Sequence, residues 1–244
     1  MKKGDEIIHL SNVKKYYYLG DNIIKALDGI NITVKKGEFV AIMGPSGSGK
    51  STSMNMIGSL DTPTEGSVFL DGEDISKLSE SRLAQLRGKK IGFIFQQFNL
   101  IPNLTAMENV ALPLLFQGVE ESKRLKQAKK LLTMIGLGDR TDHYPNQLSG
   151  GQQQRVAISR SLSNEPEVIL ADEPTGNLDT KTGKIVMDFL DEMHKENKTI
   201  VMVTHDPDLA TEHANKVYWI IDGKVEKVTQ KKNNKWIQLK EEVF

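Results

Sequence analysis

Gly44-Pro45-Ser46-Gly47-Ser48-Gly49-Lys50-Ser51 is the stretch from which the fold can be read. It follows the apolar run Phe39 to Met43, which predicts a buried strand. It leads into Thr52 to Ser59, which predicts the start of a helix. Strand, glycine-rich loop and helix in this order, with the spacing G-x-x-x-x-G-K-S/T, make a phosphate loop. Its glycines let the backbone fold round an anion with N–H groups turned inward. The helix that begins there adds the positive end of its dipole. Lys50 brings a compact charge for the outer phosphates, and the Ser51 hydroxyl suits Mg²⁺. A functionless glycine-rich turn is the competing reading, but the bare pattern arises by chance in roughly one chain in a hundred. The chain is therefore expected to bind a nucleoside triphosphate.

Composition narrows the rest. The chain has 244 residues, enough for one large α/β domain or two small ones. Its 32 basic and 32 acidic residues cancel, so no net field argues for nucleic acid as a partner. Cysteine is absent, which excludes disulfides, thiolate zinc sites and cysteine nucleophiles. The opening Met1-Lys2-Lys3-Gly4-Asp5-Glu6 is not followed by an apolar stretch of signal-peptide length. No apolar run approaches the roughly 18–20 residues of a membrane span, so a membrane role is expected to run through a partner.

The first third reads as strand-rich, with short apolar runs at Ile7 to Val13, Ile30 to Val34, Phe39 to Met43 and Ser67 to Leu70. Ile91 to Phe95 is a further strand, ending at Gln96. The middle reads as a helical insertion: Thr105-Ala106-Met107-Glu108 matches a capping box, and Glu120 to Ile135 is a basic amphipathic helix closed by Gly136. The last third alternates strands, Val168 to Ala171 and Thr199 to Thr204, with a helix from Lys181 to Asn197 behind Thr180. Asp206-Pro207 caps another helix, and Asp222-Gly223 turns a hairpin between Val217 to Ile221 and Lys224 to Val228. Such alternation predicts a parallel sheet with helices on both faces. The expected organisation is one domain over 1–229, with a helical subdomain at about 97–165 inserted in the α/β core. A charged tail, 230–244, carries no readable motif.

Three further groups carry chemistry. The strand Val168 to Ala171 delivers Asp172 and Glu173 at its carboxyl end, where ligands sit in open α/β sheets. One acid suits Mg²⁺ and the next is free to act as a general base on water. His205 ends the strand Thr199 to Thr204. It is placed either to reach a γ-phosphate or attacking water, or to serve as a partly buried cap residue. Leu148-Ser149-Gly150-Gly151-Gln152 precedes a helix expected at Gln153 to Asn164 and makes a second glycine-rich anion site. One phosphate loop already serves a whole triphosphate. The second site is then expected to grip nucleotide held by another chain.

The phosphate loop, Leu148 to Gln152, the acids Asp172-Glu173 and His205 stand in the order of an ABC-type ATPase, and nearly the whole chain resembles that family. The resemblance implies an α/β phosphate-loop core with a mixed sheet, an antiparallel β subdomain and a helical subdomain. It implies that Lys50, Ser51 and Thr52 hold phosphates and Mg²⁺, and that Gln96 touches the metal and couples to a membrane partner. Asp172 would be a metal ligand, Glu173 would polarise water, and His205 would steady the γ-phosphate. Ser149 and Gly151, within Ser149 to Gln152, would bind ATP held by the opposite subunit. Asn177-Leu178-Asp179 would cross between subunits. Tyr17 would stack on adenine, with Tyr16 and Tyr18 as alternatives.

Gly92 to Pro102 and Leu148 to Val156 resemble most closely the ATPase subunits of the MacB/LolD group. That likeness implies ATP and Mg²⁺ as cofactors, an ATP-dependent head-to-tail homodimer, and a separate integral membrane permease. The expected place is the cytoplasmic face of the membrane, peripherally bound. The alternative is a scaffold-like ABC ATPase in an envelope complex with little transport of its own.

Overall fold

A computed structural model describes residues 6–239. In chain order the elements are β1 (Glu6–Leu19), β2 (Asn22–Lys35), β3 (Phe39–Met43), α1 (Lys50–Ile57), β4 (Glu65–Leu70), β5 (Glu73–Asp74), α2 (Glu80–Lys90) and β6 (Ile91–Ile94). Then come α3 (Ala106–Phe116), α4 (Glu121–Met134), α5 (Gly150–Leu162), β7 (Val168–Asp172), α6 (Thr180–Lys195), β8 (Thr199–Thr204), α7 (Pro207–His213), β9 (Lys216–Ile221), β10 (Lys224–Lys232) and β11 (Lys235–Leu239). The chain divides into two compact units, Met1–Leu83 with Met193–Phe244, and Ala84–Glu192.

In the first unit β3 is the organising strand. All five of its residues are buried, and it pairs in parallel with β8 on one side and β9 on the other. A strand covered on both faces reads as a continuous apolar run, which is why Phe39 to Met43 and Thr199 to Thr204 are legible without alternation. Beyond β9 the pairing turns antiparallel through β10 to β11, so the sheet is mixed. A separate antiparallel sheet has the order β2-β1-β4-β5. Its long strands β1 and β2 bury Ile8, Leu10, Val13, Ile30, Ile32 and Val34 on one face.

The second unit contains the parallel pair β6 and β7 together with α3, α4 and α5. Thr105 and Glu108 form the reciprocal capping box expected at the start of α3. Helix α4 buries Ala128, Leu131 and Leu132 from the apolar positions read in the sequence.

Three readings are corrected. The helix expected at Gln153 begins instead at Gly150, because Ser149 caps it and Gln152 returns a bond to the Ser149 N–H. The helix placed behind Thr180 is capped by Asp179, whose carboxylate accepts from the Thr182 N–H and hydroxyl. The tail is not featureless: β10 runs to Lys232, and Asn233 and Asn234, both at positive φ, turn it into β11. Met1–Asp5 and the last residues of the tail, from Lys240, lie outside the described residues. Among those described, no helix is long and apolar enough to cross a membrane.

Candidate functional site

In the first unit, three groups meet at the carboxyl ends of β3 and β8. Met43 pairs with Thr204, so Gly44 and His205 are the next residues along neighbouring parallel strands. His205 is exposed there, and Asp206 behind it caps α7 by accepting from the Asp208 and Leu209 N–H groups. The loop Gly44 to Gly49 turns with Gly47 at φ 78° and Gly49 at φ 102°. A Cβ on Gly44 would lie 2.0 Å from the Ile220 carbonyl oxygen, and one on Gly49 2.4 Å from that of Ala26. Only glycine lets the loop pass this close to the neighbouring backbone. The Asp222–Gly223 turn backs the loop, its Gly223 N–H donating to the Ser48 carbonyl at 2.9 Å. That contact joins elements far apart in sequence, and no local pattern announces it.

Inside the loop, Lys50 is 7% exposed and its ammonium donates back to the Pro45 carbonyl at 2.7 Å. The Ser48 hydroxyl is buried, with no hydrogen-bond partner among the described residues. A charge and a polar atom held this way, beside the open N-terminus of α1, make a cradle for an anion. Pro45, Ser46 and Ser51 are exposed at its rim, and Thr52 is half-buried in the first turn of α1.

The three tyrosines separate by strand alternation. Tyr16 donates to Asp28, and Tyr18 is 65% exposed. Tyr17 donates to Asp61 at 3.1 Å. Burial, then the Asp61 carboxylate accepting from it, raise the Tyr17 phenol above its ordinary pKa.

The second unit gathers the remaining residues. β6 and β7 run parallel with Ile94 opposite Ala171, so Gln96 and Glu173 stand two residues further along each strand. Gln96 is exposed, and its carbonyl accepts from the Asn177 side chain at 3.0 Å. A Cβ on Gly176 would sit 3.1 Å from the Gln96 amide nitrogen. Asp172 and Glu173 are half-buried, and Glu173 has φ 41°, a region costly for a side-chain-bearing residue.

Ser149 caps α5, with Gly150, Gly151 and Gln152 in the first turn. That turn and the segment from Asn177 to Thr182 border a pocket of about 250 Å³, whose lining includes Gly151, Arg155 and Asp179. Hydrogen bonds from the Thr182 backbone and hydroxyl hold the Asp179 carboxyl below its ordinary pKa. The sequence-derived residues thus fall into two groups. Tyr17, Gly44 to Thr52 and His205 are in the first unit; Gln96, Ser149 to Gln152, Asp172, Glu173 and Asp179 are in the second.

The candidate Mg²⁺ donors, Ser51, Gln96 and Asp172, all offer oxygen, the donor that a hard divalent cation prefers. No group of three or more His, Cys, Asp or Glu side chains among the described residues could hold a metal by itself.

An ABC transporter ATP-binding protein of Thermotoga maritima is 50% identical over 231 residues, 95% of this chain and 97% of its own. MacB of Aggregatibacter actinomycetemcomitans, a macrolide export ATP-binding/permease protein, is 51% identical over 229 residues. The match takes in 94% of this chain but only 35% of that longer protein. The dimeric post-hydrolysis structure of the ATP-binding cassette MJ0796, bound to ADP and Pi, has a TM-score of 0.85 and 50% identity, covering 91% of this chain and 98% of its own. MJ0796 comes from Methanocaldococcus jannaschii. The ABC transporter family model matches residues 27–176, from within β2 to the turn after Glu173, and the chain belongs to that family as an ATP-binding domain.

Proposed function

We propose that this chain is the ATP-hydrolysing subunit of an ABC transporter. Two copies close head to tail on ATP and drive a separate membrane permease of the MacB/LolD type. The observation that carries the reading is the capped, glycine-bearing start of α5, a second anion-binding helix end in a chain whose phosphate loop already suits a triphosphate. Each ATP would lie between the Gly44–Thr52 loop of one copy and Ser149 and Gly151 of its partner. A scaffold role is not favoured, since the relatives are named as ATP-binding proteins of transporters.

In this mechanism Tyr17 stacks on the adenine. Lys50 and the start of α1 draw the phosphates in; Ser51, Gln96 and Asp172 would hold Mg²⁺, which would supply neutralisation of phosphate charge. Glu173 takes a proton from water as the water oxygen bonds to the γ-phosphorus. The bond from that phosphorus to the bridging oxygen breaks, and its electron pair leaves with ADP. His205 steadies the γ-phosphate by donating a hydrogen bond. Helix ends and ammonium aimed in advance at the developing charge lower the barrier without reorganisation. Hydrolysis removes the group that joins the two copies, so they part. The segment around Gln96 and Asp179 passes the change to the permease and the partner copy.

The domain working in this way is the 1–229 region, bound peripherally at the cytoplasmic face of the membrane through its permease. Export, lipoprotein release and antimicrobial-peptide resistance are the transport classes that fit. Glu173→Gln tests the reading: hydrolysis should slow by about 10²–10⁴-fold with ATP binding retained. ATP should then convert the variant from monomer to dimer in size-exclusion chromatography; persistence as a monomer would contradict the clamp.

A further inference from the structure

Gln154 lies in the second turn of α5, five residues after Ser149, and is 1% exposed. Its side-chain amide nitrogen donates to the Pro174 carbonyl at 3.1 Å. A carbonyl only accepts, so this partner fixes the orientation of the amide. The Gln154 amide oxygen is buried and has no partner among the described residues. A buried amide that satisfies one group and leaves another unpaired is costly, and a plain apolar side chain would pack there more cheaply.

What that bond holds is the peptide after Pro174, one link beyond Glu173. Glu173 sits at φ 41°, and the ring of Pro174 restricts the backbone of the residue before it. Pro174 is itself buried and has no N–H, so its carbonyl is its one backbone hydrogen-bonding group. Just beyond, the Gly176 N–H donates to the Glu173 carbonyl at 3.0 Å. The strained backbone that carries the Glu173 carboxylate is thus held by its own turn, and at the following residue by α5.

We propose that Gln154 is a positioning residue for Glu173, carrying the placement of the α5 N-terminus to the general base through the Pro174 carbonyl. The proposal rests on the assignment of Glu173 as that base. It gives each chain a direct route from the helix start that grips the partner's ATP to the carboxylate that acts on its own. Closing on one nucleotide therefore prepares attack on the other.

Gln154→Met, which keeps length and bulk and removes the donor, tests it with ATP and Mg²⁺ as the reagents. The variant should lower kcat by at least about tenfold, between the worth of one hydrogen bond and the about 10²-fold cost of a 1 Å misplacement. KM should stay within about twofold, a split that general destabilisation would not produce. In a Glu173→Gln background the same substitution should cause no further loss, and ATP-driven dimerisation should persist. Full kcat in Gln154→Met, a loss expressed in KM, or losses that multiply with Glu173→Gln would each overturn the proposal. If Gln154→Met does not fold, Gln154→Asn, whose amide is withdrawn by one methylene, carries the same comparison. Glu173→Gln alone separates the two ideas: wild-type hydrolysis there rejects the base itself, whereas a dead Glu173→Gln beside a fully active Gln154→Met rejects only the positioning role.

Discussion

Alanine at three glycines of the phosphate loop divides backbone strain from crowding. Gly47 has φ 78°, and a Cβ there would meet nothing within 4 Å, so Gly47→Ala pays strain alone. For a left-handed residue that is about 1–2 kcal/mol. Gly44 has no positive φ, but its Cβ would sit 2.0 Å from the Ile220 carbonyl oxygen, with the Ser48 hydroxyl at 2.6 Å. Backbone cannot rotate aside, so Gly44→Ala costs an overpacking penalty of about 1–3 kcal/mol. Gly49 combines φ 102° with a contact of 2.4 Å to the Ala26 carbonyl oxygen, so the two costs add to about 2–5 kcal/mol. For a chain of this size each kcal/mol moves Tm by about 2–4 °C. Thermal unfolding followed by circular dichroism should rank Gly49→Ala lowest and Gly47→Ala nearest to wild type. Calorimetric titration with ATP should show affinity falling most at Gly44 and Gly49, where the loop must move away from its backing. Equal Tm and equal affinity for Gly47→Ala and Gly49→Ala would refute the claim that close backbone approach sets the loop's shape.

Other substitutions probe separate parts of the account. Lys50→Ala should weaken ATP binding while leaving the fold intact, because among the described residues its ammonium bonds only to the Pro45 carbonyl; unchanged affinity in the titration would reject its role. Tyr17→Ala should cost about 1–3 kcal/mol of ATP binding if the ring stacks on the base, and Tyr16→Ala and Tyr18→Ala much less. Asp179 has a folded pKa below its ordinary value, so the stability its carboxylate gives α6 is present above that ordinary value and lost as pH falls through the lower one. The Tm gap between wild type and Asp179→Ala should accordingly narrow toward acid pH, and a gap that widens would contradict the sign.

Much of the fold was legible where burial leaves a local trace. Phe39 to Met43 and Thr199 to Thr204 match β3 and β8 to the residue, because central parallel strands are apolar throughout and bounded by turn formers. The start of α5 was harder. Two glycines cost a helix about 1 kcal/mol each, which argued for a loop, yet Ser149 and Gln152 spell a capping box that outweighs them. The second half of β10, beyond Val228, and β11 carry exposed lysines that give no apolar alternation, so the sequence pattern stops at the first hairpin. α2 was missed for a similar reason, since only Leu83 and Leu86 are buried in it.

The site followed the same division. The candidate stretches Gly44 to Ser51, Asp172-Glu173 and Ser149 to Gln152 are each contiguous, so spacing alone makes them readable as candidates. Which of Tyr16, Tyr17 and Tyr18 share a face of β1 depends on the pairing with neighbouring strands, which the sequence does not define. The Gln154 bond to Pro174 spans twenty residues and two elements, and no sequence rule links them.

The central claim is that one copy owns only half of each reaction chamber. Specific ATPase activity of the wild-type chain, measured across serial dilution at saturating Mg·ATP, tests it most directly. Activity per chain should fall as the enzyme is diluted and recover on concentration, in step with the dimer fraction seen by analytical ultracentrifugation. A specific activity indifferent to dilution, in samples that sediment as monomers throughout, would contradict the account.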